Sequence, residues 1–314
     1  MNAAATAAQP RPAMLLTACY LYTIDTYGYP PSIADGLRAI DDLAAMGFRF
    51  IELEGVGEEH IRAVHATRAR TRDALERRGM RCVNFCPVLR PLMADDAGER
   101  RAAYDVFRLG AETAAFLGAP TVHVASYLPP VEFIGPRPYV GALRFGERYQ
   151  VRMPDAFSWA RQWDAIVESI RACADIAHEH GLTLILEPRV AEMVSGTDAM
   201  LRLMDWVERD NFRANFDCAH LNAQKEILPI SARKLAGRIA GVHLADNDGT
   251  DNRHLFPGDG NIDFEGVLRE LHRQGFAGSL GIDLGSLPDL GRRFRDCAAW
   301  LRERCAAWGI PLDG

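Results

Sequence analysis

Eight short apolar runs recur along the chain, and each is followed by a stretch in which apolar residues repeat every three or four positions. Runs of four to six residues rich in Val, Ile, Leu and Phe are typical of buried strands, and the repeating stretches are typical of amphipathic helices. The predicted strands are 15–20, 48–53, 81–85, 121–125, 182–187, 214–217, 239–243 and 280–283. The predicted helices are 32–46, 58–78, 97–117, 160–180, 197–209, 230–237, 263–274 and 289–308.

Eight alternations of strand and helix predict an α/β fold of the closed (β/α)8 type, the TIM barrel, in a single domain. Glycines fall between several predicted helices and the next strand, where a helix end or a tight turn is expected. They are Gly47, Gly79, Gly118, Gly181, Gly275 and Gly278. A doubly wound open sheet is the competing layout, but no glycine-rich GxGxxG motif follows the first strand. We expect the barrel to occupy residues 13–314, after a loose, disordered tail at residues 1–12.

One connection is much longer than the others. Residues 128–158 separate the fourth strand from its helix, whereas ordinary connections of this kind have ~2–6 residues. The segment contains five prolines and several aromatic residues, so it should be stiff, and it leaves the barrel on the face where strands end. It is interpreted as a lid or partner surface on that face, or as an insertion packed against the barrel rim.

The composition, with 48% hydrophobic and 25% charged residues, is that of a soluble globular protein. The formal net charge is −6 and there is no basic tract, which argues against nucleic acid as a partner. No segment approaches the ~20 apolar residues of a membrane span. The seven cysteines include no CxxC pair, so we expect reduced core residues in a cytoplasmic protein.

Four acid or imidazole residues, Glu187, Asp217, His243 and Asp283, each end one of the last four predicted strands. The carboxyl ends of parallel strands meet at one face of a barrel, where these side chains can share a divalent ion. Three carboxylates and one imidazole form a hard, oxygen-rich ligand set, so we expect Mn²⁺, with Mg²⁺, Co²⁺ or Zn²⁺ as alternatives. Such an ion stabilises the charge that forms when a proton leaves the carbon beside a carbonyl group.

Each of these residues also has a purely structural interpretation. Glu187 could form an ion pair, because a carboxylate that follows an apolar run is costly to bury alone. His243 could be a hydrogen-bonded core histidine, Asp217 could cap the next helix, and Asp283 could cap or order a loop. Asp246 is expected to contact and orient one of the metal-binding side chains, and not to bind the ion itself.

Further polar residues near the same strand ends are candidates for catalysis or substrate binding. His123 alternates with Val122 and Val124 in the fourth strand, which points it inward as either a proton carrier or a structural hydrogen-bonding group. Arg253 and His254, on the loop after the seventh strand, either bind substrate or pack the loop.

The order of these motifs resembles that of the xylose isomerase-like barrel family, which includes sugar-phosphate and keto-sugar isomerases and epimerases. The resemblance covers nearly the whole chain and rests on Glu187, the Asp-x-x-His motif at 217–220, the His-x-x-Asp motif at 243–246 and the segment HLFPGDGNIDF. It implies that the four strand-end residues ligate the ion and that His220 faces the substrate. The family usually has Glu at the last ligand position, so Asp283 reaches one methylene less far as a second base.

The first functional hypothesis is therefore a divalent-metal-dependent isomerase or epimerase. It would enolise a keto sugar through an enediolate and return the proton at another carbon or on the other face. The second hypothesis keeps the enolate, because the long insertion, His123 and Asp283 also resemble, more loosely, the catalytic subunit of bacterial C-glycoside deglycosidases. That resemblance implies elimination of the aglycone from a 3-keto C-glycoside, assisted by a small β-rich partner subunit.

Two other classes of function are a phosphodiesterase and a binding or scaffold protein without activity. Related endonuclease IV-like barrels cleave phosphodiesters, but this chain has few histidines at its strand ends and a net charge of −6. A barrel retained as a binding or scaffold protein would bind no metal. We therefore expect a small sugar or sugar conjugate as the ligand, neither nucleic acid nor a membrane as a partner, and either a homo-oligomer or a β-rich partner subunit.

Overall fold

A closed ring of eight parallel strands forms the centre of the protein, whose computed structural model describes residues 12–139 and 149–314. The ring strands are β1 (Met14–Ala18), β2 (Phe50–Val56), β3 (Arg81–Val88), β4 (Thr121–Ala125), β7 (Thr183–Glu187), β8 (Phe212–Asp217), β9 (Ile239–Leu244) and β10 (Ser279–Ile282). They neighbour one another in this order, and β10 pairs with β1 to close the ring. The predicted barrel is confirmed. The predicted tail at 1–12 lies outside the described residues, apart from Pro12.

Helices connect the strands and cover the outside of the barrel. They are α1 (Leu21–Tyr27), α2 (Ile33–Ala45), α3 (Gly57–Arg77), α4 (Ala97–Phe116), α5 (Trp159–Glu179), α6 (Thr197–Val207), α7 (Cys218–Ala223), α8 (Leu228–Lys234), α9 (Phe264–Arg273) and α10 (Leu290–Trp308), with a 3-10 turn at Arg90–Met93. In α9, Phe264, Val267, Leu268 and Leu271 are buried. This spacing places one apolar stripe against the sheet.

Side chains at the helix starts fix where several helices begin. Asp96 accepts a hydrogen bond from the backbone N–H of Glu99 at 2.8 Å, and Asp263 accepts one from Gly266 at 2.9 Å. Each carboxylate satisfies a backbone donor that the first helical turn leaves unpaired. These caps hold the outer helices in register with the strands that they follow.

Several short elements were not predicted from the sequence. Helices α1 and α7 have seven and six residues, so neither is long enough to show a helical repeat of apolar positions. Three strands lie outside the ring: β5 (Glu132–Ile134), β6 (Gln150–Arg152) and the two-residue β11 (Leu312–Asp313), which pairs with β1. All of these are local additions that leave the barrel unchanged.

The described residues of the long insertion after β4 include a hairpin. Strands β5 and β6 pair antiparallel, with Phe133 opposite Val151, and residues 140–148 between them lie outside the described residues. Before that gap, the hydroxyl group of Tyr139 donates a hydrogen bond to the carbonyl oxygen of Val190 at 2.5 Å. One side of the insertion is therefore attached to the loop that follows β7, on the face where the strands end.

No helix in the two described ranges is both long and apolar enough to cross a membrane. All seven cysteines fall within those ranges, and each is buried and free. The cysteines are thus core residues, as the sequence predicted.

Candidate active site

The side chains that end the last four ring strands meet around one atom, Nδ1 of His243. This nitrogen lies 2.7 Å from Oε1 of Glu187, 3.7 Å from Oδ2 of Asp217 and 3.9 Å from Oδ2 of Asp283. All four residues are buried. The structure thus brings together the four residues that the sequence singled out, because β7, β8, β9 and β10 are consecutive in the ring.

Two of the polar atoms in this cluster have no hydrogen-bond partner. They are Oδ2 of Asp217 and Nδ1 of His243, although the latter lies close to Glu187. Buried polar atoms without partners cost free energy, so their convergence points to a bound group that satisfies them. Three carboxylates and an imidazole nitrogen match the ligands of a divalent ion. The four side chains therefore fit the metal site that the sequence predicts.

Asp217 serves both of the roles proposed for it from the sequence. Its Oδ1 accepts a hydrogen bond from the backbone N–H of His220 at 2.7 Å, which caps α7. Its Oδ2 remains directed toward His243. Capping thus fixes the orientation of the carboxylate and leaves one oxygen available to a ligand.

The electrostatic field of the cluster is negative. Burial lowers the pKa of His243, but the acidic groups around it, the carboxylates of Glu52 and Glu187 among them, outweigh burial and raise that pKa well above its usual range. Burial likewise raises the pKa of Glu187, yet the histidines around it, His243 first, hold that pKa well below its usual range. A field that favours a proton on the imidazole also favours a metal cation beside it.

A residue that the sequence analysis missed supports His243 from the other side. Oε2 of Glu52, on β2, lies 3.0 Å from Nε2 of His243 and accepts a hydrogen bond from Asn84 at 3.1 Å. A carboxylate on the far nitrogen of a metal-binding histidine fixes its tautomer and orientation. The sequence pattern that could have identified Glu52 is the alternation in the run FIELEGV, which places this residue on one face of β2.

Cys19 is a second neighbour of Nε2 of His243, with its sulfur at 3.7 Å. Cys19, His243 and Asp283 form an alternative group of possible metal ligands. Burial raises the pKa of the Cys19 thiol well above its usual range, so the sulfur stays protonated and is a poor ligand. The oxygen-rich group that includes Glu187 and Asp217 is therefore the better metal site.

His123 lies beside the cluster but does not join it. Its ring centroid is 6.0 Å from that of His243, and its Nδ1 is 3.5 Å from the side-chain nitrogen of Asn84. Burial lowers the pKa of His123 to about 4, so the ring is neutral at neutral pH. As predicted from its alternation with valines, the side chain points inward.

The other predicted histidines also lie at this face. Nε2 of His220 is 4.0 Å from Oε2 of Glu187, and the rings of His220 and His254 meet edge to face at 5.9 Å. His254 contacts a predicted ligand directly, because its Nδ1 lies 3.0 Å from Oδ2 of Asp283. Burial opposes the charge on His254, but Asp283 outweighs it and raises the pKa of His254 to about 9.

Arg189, which follows β7, was not recognised from the sequence. Its Nε lies 3.4 Å from Oε2 of Glu187 and 3.4 Å from Nε2 of His220. Its guanidinium carbon lies 4.7 Å from the ring centroid of Tyr139, a residue of the insertion. The insertion therefore covers a cation that contacts a predicted metal ligand. No sequence motif marks this arginine, because the contact depends on how two loops fold.

Two residues singled out from the sequence make their contacts within the loop that follows β9. The side chain of Arg253 is 59% exposed and pairs with Asp251 at 2.9 Å, so the structure does not bring it to the cluster. Asp246 accepts hydrogen bonds from the backbone N–H groups of Gly258, Gly260 and Ile262 at 2.8 to 3.1 Å. It therefore orders the loop after β9 and does not orient a ligand. The spacing from His243 suggested otherwise, but the PGDG turn folds back onto this carboxylate.

The fold and the buried carboxylate and imidazole cluster define a TIM barrel with a candidate metal centre at the carboxyl ends of its strands. The family model of the xylose isomerase-like TIM barrel matches residues 40–304, and the chain belongs to this family.

Comparison with individual proteins gives partial matches. The chain is 28% identical over 153 residues to L-ribulose 3-epimerase of Mesorhizobium japonicum, covering 48% of each chain. It is 24% identical over 164 residues to inosose dehydratase of Geobacillus thermodenitrificans, covering 46% of this chain and 55% of the relative. The chain thus spans about half the length of the curated relatives it matches. Its fold resembles D-allulose 3-epimerase from Methylomonas sp. in complex with D-allulose, with a TM-score of 0.71 and 16% identity over 94% and 98% of the two chains.

Proposed function

We propose that this protein is a divalent-metal-dependent epimerase or isomerase that acts on a keto sugar by proton abstraction through an enediolate. The observation that carries the proposal is the convergence of three carboxylates on Nδ1 of His243, with that nitrogen and Oδ2 of Asp217 lacking partners. The names of the relatives, an L-ribulose 3-epimerase and an inosose dehydratase among them, support a sugar as the substrate.

Glu187, Asp217, His243 and Asp283 would hold the ion, and the oxygen-rich set favours Mn²⁺. When bound, such an ion supplies positive charge that stabilises a developing oxyanion on the substrate.

Glu187 is the residue best placed to remove the carbon-bound proton. Its Oε1 accepts a hydrogen bond from Asn215 at 2.9 Å, which fixes the carboxylate plane. Its Oε2 is flanked by Arg189 at 3.4 Å and His220 at 4.0 Å. Because its pKa lies well below the usual range, Glu187 is ionised at neutral pH and able to accept a proton. His220 and His254 line the same space and would bind the sugar hydroxyl groups.

A second candidate is enolisation followed by elimination, as in a C-glycoside deglycosidase. Two observations favour it. Asp283 is one methylene shorter than Glu and its Oδ2 is already paired with His254 at 3.0 Å, which leaves less freedom for a second base. The hairpin of the insertion also exposes apolar side chains, Ile134, Val151 and Met153, where a β-rich partner subunit would bind.

Deuterium exchange separates these functions. Protein stripped of metal and reloaded with Mn²⁺ would be incubated in deuterium oxide with D-fructose, D-allulose and a 3-keto C-glycoside, and the carbons beside each carbonyl followed by NMR. We expect deuterium to enter at least one ketose, with formation of its epimer. Release of the aglycone without ketose exchange would favour elimination. Absence of exchange and of release with every compound would contradict both functions.

A further inference from the structure

Strand β2 presents a second acid to the interior of the barrel, beyond Glu52. Side chains two positions apart in a strand lie on the same face, so Glu54 shares the face of Glu52, which contacts His243. Glu54 lies nearer the carboxyl end of β2, where the candidate site opens. Its position is therefore above Glu52, at the entrance to the site.

The position of β2 in the ring places Glu54 three strands away from Glu187. From β7, which carries Glu187, three steps around the ring through β8 and β9 lead to β10 and Asp283. Three steps in the other direction, through β4 and β3, lead to β2 and Glu54. Glu54 and Asp283 thus lie on either side of Glu187 around the barrel mouth, each three strands away from it.

The carboxyl group of Glu54 has an atom without a partner. Its Oε2 is inaccessible to solvent and makes no hydrogen bond within the described residues. Burial raises the pKa of Glu54 to about 8, against the opposing charge of Arg189. At neutral pH the group is therefore mostly a neutral carboxylic acid, which can donate a proton.

A cavity of about 50 Å³ borders Glu54, and Tyr20, Ser32 and His60 are among the residues that line it. A water molecule needs only ~10–15 Å³ of such space and two or more polar partners, so the cavity has room for water that exchanges protons with Glu54. Tyr20 also packs against the ring of His243, with centroids 5.9 Å apart. The cavity thus lies next to the candidate site.

We propose that Glu54 is a second proton-transfer residue. It supplies the proton that Asp283 does not supply, because Asp283 is one methylene shorter than Glu and is paired with His254. The inference rests on the proposed function. Glu187 takes a proton from the carbon beside the carbonyl, and the C–H electron pair becomes the double bond of the enediolate. Glu54 gives its proton to the other face of that carbon, the double-bond pair forms the new C–H bond, and the carbonyl is restored. Exchange with water then reprotonates Glu54 and deprotonates Glu187.

The test compares Glu54→Gln and Glu54→Asp with the wild-type protein, all loaded with Mn²⁺, on D-fructose and D-allulose in deuterium oxide. The matched control is Glu58→Gln, because Glu58 is exposed on α3 and pairs only with Arg62 among the described residues. Two rates are followed by NMR: entry of deuterium into the substrate and formation of the epimer. Thermal unfolding of each variant checks that it is folded.

We expect Glu54→Gln to slow epimer formation by ~10²–10⁴-fold, the usual contribution of a general acid. Deuterium should still enter the epimer whose C–H bond faces Glu187 within about threefold of the wild-type rate, because Glu187 remains, but it should no longer enter the other epimer, whose proton leaves toward Glu54. Glu54→Asp should recover part of the lost epimer formation. Epimer formation by a folded Glu54→Gln variant at the wild-type rate would overturn the inference while leaving the proposed function intact. If Glu54→Gln does not fold, Glu54→Met, which also has no proton to give, takes its place, and epimer formation by that folded variant at the wild-type rate would overturn the inference. Absence of exchange in the wild type would overturn the proposed function, and this inference with it.

Discussion

The two halves of the barrel mouth differ in how their polar groups are paired. In the half formed by β7 to β10, each acid of the cluster has a fixed partner: Asn215 for Glu187, the backbone N–H of His220 for Asp217, and His254 for Asp283. In the half formed by β1 to β4, Glu54 keeps a buried oxygen without a partner, as Asp217 does with its Oδ2, but no hydrogen bond among the described residues holds the carboxyl group of Glu54. Under the proposed function, the first half would hold the cation, whereas the second half would support His243 and supply a neutral acid.

This difference bears on which half of the barrel mouth carries out each step of the proposed reaction. The negative half, which its motifs mark, would bind the ion of the proposed function. The proton that completes the proposed reaction must come from elsewhere if Asp283 is fixed by His254. Variants in the two halves should therefore lose different steps of that reaction.

The largest expected effect is in the cation-binding half. Glu187→Gln keeps the shape of the side chain but removes its charge and its ability to accept a proton. We expect deuterium exchange into a ketose substrate to fall by more than ~10⁴-fold, since both ion binding and proton abstraction are lost. The measurement is NMR exchange together with metal content by elemental analysis.

The control for this variant is Glu179→Gln, because Glu179 is an exposed acid that pairs with Arg108 far from the site. It should retain the wild-type metal content and exchange rate. If Glu187→Gln binds one equivalent of Mn²⁺ and exchanges at the wild-type rate, the assignment of this half to the cation is wrong.

A smaller effect concerns the stability of the folded protein, and it tests whether Glu54, in the half formed by β1 to β4, is a neutral acid. The pKa of Glu54 in the folded protein is about 8, above the ~4.3 of an unfolded glutamate, so the folded state prefers the protonated form. Its contribution to stability is fully present below pH ~4.3 and is lost as the pH rises through about 8. The loss amounts to at most ~1.4 kcal/mol per pH unit in that window.

Urea unfolding of metal-free protein at pH 5, 6.5 and 8 measures this loss. Because Glu54→Gln cannot ionise, its stability relative to the wild type should rise by about 3–4 kcal/mol between pH 5 and pH 8. Glu58→Gln should show no such trend. Parallel pH profiles for the wild type and Glu54→Gln would mean that Glu54 is ionised in the folded protein and that the two halves do not differ as described.

Much of the fold could be predicted from the sequence because each ring strand contains a short run rich in apolar residues. Strands buried on both faces carry this signal wherever they occur, and the eight runs give the eight ring strands. Helix α1 and the hairpin of β5 and β6 were missed, since elements of seven and three residues have no measurable period. Their positions depend on contacts with the barrel and not on local sequence.

The candidate site was only half predictable, for a related reason. Glu187, Asp217, His243 and Asp283 stand out because a polar residue at the end of an apolar run marks the face where strands end. Glu52 and Glu54 lie inside their run, where the alternation of Glu with Leu could have indicated an interior position but no motif drew attention to it. Contacts made by loops, such as those of Arg189 and Tyr139, leave no spacing in the sequence to detect.

The smallest expected effect tests whether the two halves act on the same imidazole. Glu52 lies in the β1 to β4 half, yet its Oε2 contacts Nε2 of His243, whose Nδ1 faces the predicted ligands. Replacing Glu52 with Gln keeps a polar group there but removes the charge that orients the ring and makes it a better donor to a metal. We expect Mn²⁺ affinity to fall by ~10–100-fold, the usual effect of losing such a partner. Calorimetric titration of the metal-free variant with Mn²⁺ measures this affinity, and Glu58→Gln is the control. An unchanged affinity would show that β2 does not contribute to ion binding and that the two halves work independently.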